Sequence, residues 1–322
     1  MRGPRPHSLT DAALRPSILV ITGPTASGKS ELALGLAEAL GGEIVSADAL
    51  QVYRGLDIGT SKPSREERAR VPHHLVDVAE PGEAYHAGRF RAEADRAIRQ
   101  IRARGRVPLV CGGTALYLKT LLGGLAEGPP RDPAVRGELE AAWAAGEGGL
   151  LYAELATADP ELAARLHPND RSRIVRGLEV WRVRGVRLSA LQAAHGFAER
   201  TYDALCLGVE RPRAELYRRI DERVVRMMAQ GWEAEVRGLL TAGVSPDSPA
   251  LQAIGYREIT RYLRQGGERE AVAASIQRAT RNLAKRQMTW FRRMELEWVR
   301  PGEVAEVRDR ARNFLLTGST PL

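Results

Sequence analysis

At 322 residues, with 43% hydrophobic and 27% charged side chains, the chain has the make-up of a soluble globular protein and room for one large domain or two smaller ones. No run approaches the roughly 18 unbroken apolar residues of a membrane-spanning helix, and the first residues lack a signal-type apolar core. Cys111 and Cys206 stand apart without CxxC or metal-ligand spacing, which argues against a disulfide scaffold or zinc site and for a reducing cytoplasm, while a net charge of +8 permits a polyanionic partner without requiring one.

Residues 1–16 read as a disordered tail. "SILVIT" (17–22) is a β-branched run of the kind that forms a buried parallel strand. A Gly-rich loop follows, then "KSELALGLAEAL", apolar at helical spacing and stopped at Gly41–Gly42. "EIVSAD" predicts a second strand ending at Asp48, and "QVYRGLDIGTSKPS" an ordered loop. "HHLVDV" predicts a third strand, "AYHAGRFRAEADRAIRQIRARG" an amphipathic helix, "VPLVCGG" a further strand and "TALYLKTLLGGL" the helix behind it. Strand–loop–helix repetition of this kind predicts an α/β fold, a P-loop NTPase-like parallel sheet flanked by helices, with ligands at the carboxyl ends of its strands.

At "AEGPPRDP" the pattern breaks. Residues 130–204 read as a helical insertion domain, with Trp143, Leu150, Leu151, Leu155, Leu162, Leu166, Ile174, Val175, Leu178, Val180 and Trp181 as its core. "YDALCLGVE" predicts a strand returning to the sheet. The catalytic core is thus expected over 17–129 and 205–300, mostly helical from Pro212 to Arg293, with an apolar "LEWV" and then a charged tail over 301–322.

"GPTASGKS", Gly23, Pro24, Thr25, Ala26, Ser27, Gly28, Lys29 and Ser30, matches GxxxxGK[ST] between a strand and a helix, the context a phosphate loop requires. Its glycines let backbone N–H groups turn toward an anion, the helix N-terminus adds partial positive charge, Lys29 supplies a compact cation, and Ser30 is placed to ligate Mg²⁺. The chain has only four lysines, Lys29, Lys62, Lys119 and Lys285, so a lysine inside a motif is informative. Asp48, at a strand end beside this loop, reads either as a turn cap or as a metal ligand or general base. The strand "VPLVCGG" ends in glycines where a kinase would carry its metal-binding carboxylate. In "TRNLAKRQMTWFRR" (280–293), Arg281, Lys285, Arg286, Arg292 and Arg293 interleave with Trp290 and Phe291, a pattern that suits nucleic acid or, equally, an amphipathic helix with its rings packed inward. "HPNDRSRIVRGLEVWRVRG" carries Arg171, Arg173, Arg176, Arg182 and Arg184 in a similar pattern.

In this order, "GPTASGKS", "SADALQVYRGLDIGTSKP", "PHHLVD", "GGTALYLKTLL", "HPNDRSRIVRGLEV", "IGYREI" and "KRQMTWFRR" resemble the tRNA dimethylallyltransferase family over Ile18 to Trp298. The resemblance implies transfer of a dimethylallyl group from dimethylallyl diphosphate to N6 of the adenosine 3′ of the anticodon, so that the loop holds an allyl donor's diphosphate rather than ATP. It implies that Thr25–Ser30 line the donor site, that Asp48 is the general base, and that Thr114 and Arg136 assist at the reactive centre and contact tRNA. It also implies tRNA contacts over Asp48, Ala49, Leu50 and Gln51; over Ser172, Arg173, Ile174, Val175 and Arg176; and over Lys285, Arg286, Gln287, Met288, Thr289, Trp290, Phe291 and Arg292. The chain departs from the family at Ala49, where Ser is common, at Ser172, where Gln or Arg is frequent, and at Gly177, where Ala is. With two dispersed cysteines it carries no zinc finger, as in the shorter bacterial form. The expected partners are tRNA and dimethylallyl diphosphate, with Mg²⁺ as cofactor, no membrane and a monomer. A P-loop kinase, an enzyme prenylating free adenine nucleotides and a non-enzymatic RNA-binding module are the alternatives.

Overall fold

The computed structural model describes residues 15–125, 128 and 132–317. In chain order, the first elements are β1 (Ser17–Thr22), α1 (Lys29–Leu40), β2 (Gly42–Ser46), α2 (Arg65–Arg70), β3 (His73–His74), α3 (Ala87–Ala103), β4 (Val107–Gly112) and α4 (Ala115–Gly123). Five helices follow: α5 (Pro133–Ala144), α6 (Gly148–Ala158), α7 (Pro160–Ala163), α8 (Arg171–Arg184) and α9 (Leu188–His195). The chain then continues through β5 (Asp203–Val209), α10 (Arg213–Ala229), α11 (Trp232–Thr241), α12 (Tyr256–Gln265), α13 (Arg269–Phe291), β6 (Glu297–Val299) and α14 (Val304–Thr317).

Six strands form one all-parallel sheet in the order β3-β2-β4-β1-β5-β6. Ile18, Leu19, Val20 and Ile21 are fully buried, as a strand with both faces covered must be. Leu19 and Ile21 pack with Leu32 and Leu36 of α1 and with Val307, Ala311 and Phe314 of α14. On β2 and β4 lies α3, with Phe90, Ala94, Ile98 and Ile101 buried. The register sets the functional edge: Thr22 pairs with Gly112 on one side and Gly208 on the other, and Ser46 with Cys111. The loops after β1, β2 and β4 therefore leave the sheet at one level.

The chain divides into two compact units, Leu122–Arg200 and the remainder. The helical unit has its own core of Leu139, Leu151, Leu155, Leu162, Ala163, Ile174, Val175 and Leu178. Its span differs from the expected 130–204, because the turn of chain at 201–204 already belongs with the sheet: the Tyr202 hydroxyl donates to Asp95 of α3 at 2.6 Å. Of the expected helical core, Leu150 and Trp181 are instead exposed, since they fall on the outer faces of α6 and α8.

Three further expectations change. Only His73–His74 of "HHLVDV" pairs with β2, because Leu75 and Asp77 take left-handed backbone conformations that turn the chain out of the sheet. "LEWV" supplies a sixth strand, β6, parallel to β5. The expected tail over 301–322 contains α14, anchored by Val307, Ala311 and Phe314 at helical spacing. Residues 1–14 and 318–322 lie outside the described residues.

Candidate active site

The Gly-rich loop is shaped by its own backbone. Ser27 N–H donates to the Pro24 carbonyl at 3.2 Å, and the Lys29 ammonium reaches the same oxygen at 3.4 Å. Gly28, at φ 100°, turns the chain into α1 without a side-chain cap, so the first amides of a 12-residue helix are left to other acceptors. These amides and Lys29 face a cavity of about 690 Å³ lined also by Ser30, Asp48, Gln51, Gly113 and Gln287.

Three arginines that the motif reading did not single out wrap the loop. Arg211 Nε donates to the Ser27 carbonyl at 2.7 Å, Arg219 Nε to the Ala26 carbonyl at 3.1 Å, and Arg223 to the Thr25 hydroxyl at 3.3 Å. Arg219 and Arg223 sit four residues apart on α10, on one face of the helix. That spacing was the available signal, masked by the abundance of arginine in this chain. Burial pulls Lys29 below its ordinary value; Cys111 and Asp48 oppose this and Arg223 adds to it. Burial likewise lowers Arg223, with Asp48 acting the other way and Arg226 and Arg219 reinforcing it. The Cys111 thiol, near Lys29, is pushed up to about 11 by burial. Among the described residues neither Lys29 nor Arg223 forms an ion pair with a carboxylate. Two desolvated cations held this way favour an anion between them.

Strand β2 ends at Ser46, so Asp48 stands two residues beyond it in a turn rather than at the strand end. Its Oδ1 accepts the Leu50 and Gln51 amides at 2.8 and 3.3 Å. Among the described residues its second oxygen makes no hydrogen bond, and the residue lines the cavity. The turn-cap reading of Asp48 is met by one oxygen, and the residue stands at the cavity, the position that the metal-ligand or general-base reading calls for. Thr114 fastens this loop, its hydroxyl accepting the Ala49 amide at 3.1 Å and its own amide donating to the Ala47 carbonyl at 3.2 Å. The contact uses the Ala49 backbone, so the departure at that position leaves it intact. Gly112 has to be glycine here, since a Cβ would meet the Ala47 carbonyl oxygen at 2.1 Å. Gln51 is committed within its loop, its amide donating to the Thr60 and Ser61 carbonyls and its oxygen accepting from the Ser46 hydroxyl.

Helix α13 presents two faces. Ala284 and Phe291 are buried, Gln287 and Met288 half-buried, and Lys285, Arg286, Thr289, Trp290 and Arg292 exposed. Phe291 is therefore a packing residue and cannot offer its ring to RNA. Trp290 can: it is 45% exposed, with the Lys119 ammonium 6.0 Å from its ring centre. Gln287 turns inward, its oxygen accepting the Thr25 amide and its NH₂ donating to the Gly113 carbonyl, both at 2.9 Å.

The wall formed by "GLDIGTSKP" is fixed from two sides. The Glu235 carboxylate accepts the amides of Asp57, Ile58 and Gly59 and the Tyr256 hydroxyl. Lys62, its side chain only 2% exposed, donates to Asp57, Asp77 and the Tyr53 carbonyl at 2.5, 2.6 and 2.8 Å. Lys62 is thus a structural ion-pair hub. Burial alone would raise the Asp77 carboxyl; hydrogen bonds from Lys62 and Arg68 outweigh it and hold the group below the ordinary value. This stabilisation is complete above about pH 4 and is lost as pH falls through the lowered native value. Lys62→Met is expected to cost about 2–3 kcal/mol, below the loss for a fully buried pair because Asp57 is largely exposed. Urea unfolding at neutral pH measures it, and the difference from wild type should shrink in acid.

The helical unit holds the remaining predicted residues. Arg136 reaches Glu179 at 3.5 Å and Glu140 at 3.3 Å, and Arg176 reaches Glu179 at 2.9 Å. Arg171 pairs with Glu140 and Arg173 with Asp170. Ser172 is exposed, whereas Ile174 and Val175 are fully buried in the core of this unit. Their side chains support α8 and cannot meet RNA. Gly177 lets Leu155 and Leu162 close on α8, since a Cβ would lie 2.8 and 2.7 Å from them.

Among the described residues, no cluster of three acidic, His or Cys side chains could hold a metal, and no helix is long and apolar enough to cross a membrane. The family model described as IPP transferase matches residues 51–294, and one described as isopentenyl transferase matches residues 16–76. The chain is 52% identical over 289 residues to a tRNA dimethylallyltransferase of Geobacter sulfurreducens, covering 89% of this chain and 93% of that protein. Among solved structures it is similar to the full-length tRNA isopentenylpyrophosphate transferase of Bacillus halodurans, at 34% identity and a TM-score of 0.69, covering 94% of this chain and 97% of that one. A eukaryotic dimethylallyltransferase solved acting on tRNA gives 27% identity and a TM-score of 0.81, over 95% of this chain and 81% of that one. The phosphate-loop sheet, the carboxylate beside it and these matches place the chain in the IPP transferase family, that of the tRNA dimethylallyltransferases.

Proposed function

We propose that this protein transfers the dimethylallyl group of dimethylallyl diphosphate to N6 of the adenosine 3′-adjacent to the anticodon in tRNA, releasing diphosphate. The observation that carries the reading is the meeting, at one cavity, of the Asp48 carboxylate with two half-buried cations, Lys29 and Arg223, that have no carboxylate partner among the described residues. The adenine N6 lone pair attacks the allylic carbon, the C–O bond breaks with its electrons passing to diphosphate, and an N6 proton goes to Asp48. Lys29, Arg223 and the amides of the loop stabilise the charge that develops on the leaving group. Asp48 is held for this by its own turn and by the Thr114 contact with Ala49. A target base within a folded anticodon loop is out of reach, so it must be flipped into the cavity.

The Ser30 hydroxyl lines the same cavity. Among the described residues there is no acidic cluster beside it, so Ser30 would be the protein's own oxygen ligand to an Mg²⁺ ion brought in with the diphosphate. Such an ion would supply charge neutralisation at the departing diphosphate. The exposed Lys285, Arg286, Trp290 and Arg292 are the RNA-binding face of the sheet unit, and Arg136, Ser172, Arg173 and Arg176 serve tRNA from the helical unit. The protein works as a cytoplasmic monomer in this reading.

Incubation with Mg²⁺ and isotopically labelled dimethylallyl diphosphate, offering either unmodified tRNA or AMP, tests the proposal. Label in tRNA is the expected result; label in AMP, or in neither, refutes it. Lys285→Ala and Arg292→Ala are each expected to weaken tRNA binding and make the log–log salt dependence shallower by about one unit per phosphate contact. A salt titration of tRNA binding checks this, and an unchanged slope would remove α13 from the interface.

A further inference from the structure

The helix that carries the exposed basic face also reaches into the diphosphate site, through one side chain. From α13, Gln287 accepts the Thr25 amide of the phosphate loop and donates to the Gly113 carbonyl beyond β4. Gly113 is itself next to the active cation, since a Cβ there would lie 2.8 Å from Gln287 Nε2 and 3.6 Å from Lys29 Nζ. Beyond Gly113 comes Thr114, which fastens the Asp48 loop. One carboxamide thus touches the segment that meets the donor and the segment that holds the base. It sits within a turn and a half of Lys285, Arg286, Trp290 and Arg292, all of which face outward.

We propose that Gln287 is a positioning residue that couples RNA docking on α13 to the competence of the diphosphate loop. RNA seated on the outward face fixes the rotation and height of α13. Through Gln287 that fixes Thr25 and Gly113, and with them the loop amides, Lys29 and the Asp48 turn. A ligand that has already ordered these groups lowers the ordering cost for the other, so RNA and allyl diphosphate bind with positive cooperativity, and the coupling is reciprocal. The amide suits this role because it is uncharged and both donates and accepts. A carboxylate there would repel the diphosphate, and a shorter Asn would not span both partners. The inference rests on the proposed function, because it assumes that α13 meets RNA.

The test is a pair of calorimetric titrations on the full chain. The donor probe is the unreactive thiolo analogue of dimethylallyl diphosphate; the RNA probe is an anticodon stem-loop with adenosine 3′ of the anticodon. Each is titrated with and without the other. For wild type, each ligand is expected to tighten the other by about tenfold, within the usual range of such couplings. In Gln287→Met, which keeps the shape and loses both hydrogen bonds, the coupling should drop below about twofold. Gln287→Asn should give the same loss with polarity retained. Coupling that survives in both variants, coupling absent from wild type, or separate affinities that collapse together would each overturn the proposal, the last by making Gln287 a general structural tie. Failure of the stem-loop to bind wild type at all would instead overturn the functional reading on which it rests.

Discussion

Asp48→Asn is expected to lower turnover by about two to four orders of magnitude while leaving the affinity for dimethylallyl diphosphate close to wild type. The substitution isolates one of two jobs. Asp48 Oδ1 holds the turn by accepting the Leu50 and Gln51 amides, and an Asn oxygen accepts them equally well. What Asn cannot do is take a proton from the attacking N6. Asp48→Ala would remove both jobs and confound them. Single-turnover rates at saturating donor and tRNA measure the loss, and near-normal turnover in the Asn variant would remove the carboxylate from the role of base.

Lys29→Met and Arg223→Met are each expected to cost about two to three orders of magnitude in kcat/KM for the allyl diphosphate, the scale for removing one preorganised group from a developing anion. Burial has pulled both cations below their ordinary values, and neither has a carboxylate partner among the described residues. Their desolvation is offset once the diphosphate lies between them, and the benefit grows as the C–O bond breaks and charge builds. The two losses should be less than additive, since both groups act on one leaving group. The double variant Lys29→Met/Arg223→Met, measured by steady-state kinetics over a range of donor concentration, shows whether that coupling exists. Fully additive losses would mean that the two cations serve different ligands.

What the sequence made legible was local. The phosphate loop is eight consecutive residues with a strand before and a helix after, so every contact that shapes it lies within a few positions. Asp48 was legible for the same reason, although the turn that positions it lies beyond the strand rather than at its end. Arg211, Arg219 and Arg223 reach the loop from more than 180 positions away, and nothing local distinguishes them from the other arginines. The family resemblance implies RNA contacts along the whole of Lys285–Arg292, while the residues alone suit an inward-packed amphipathic helix equally; a helix sends neighbours to different faces, and both patterns are present. Lys285 and Arg286 point out, Gln287 toward the Gly-rich loop, Trp290 out again and Phe291 into the core. The same geometry buries Ile174 and Val175 between arginines on α8. Helix α14 was hidden because its apolar stripe, Val307, Ala311 and Phe314, is thin against a charged background, and β6 because a three-residue strand carries no readable period.

The reaction assigned to this site breaks a carbon–oxygen bond, whereas a kinase with the same loop would break a phosphorus–oxygen bond. Dimethylallyl diphosphate labelled with ¹⁸O at the bridging oxygen separates the two directly. Incubated with the protein, Mg²⁺ and unmodified tRNA, it should yield diphosphate carrying the label and N6-dimethylallyladenosine in the RNA digest, in equal amounts by mass spectrometry. Label retained in dimethylallyl alcohol, or a phosphorylated RNA without the allyl group, would contradict the account.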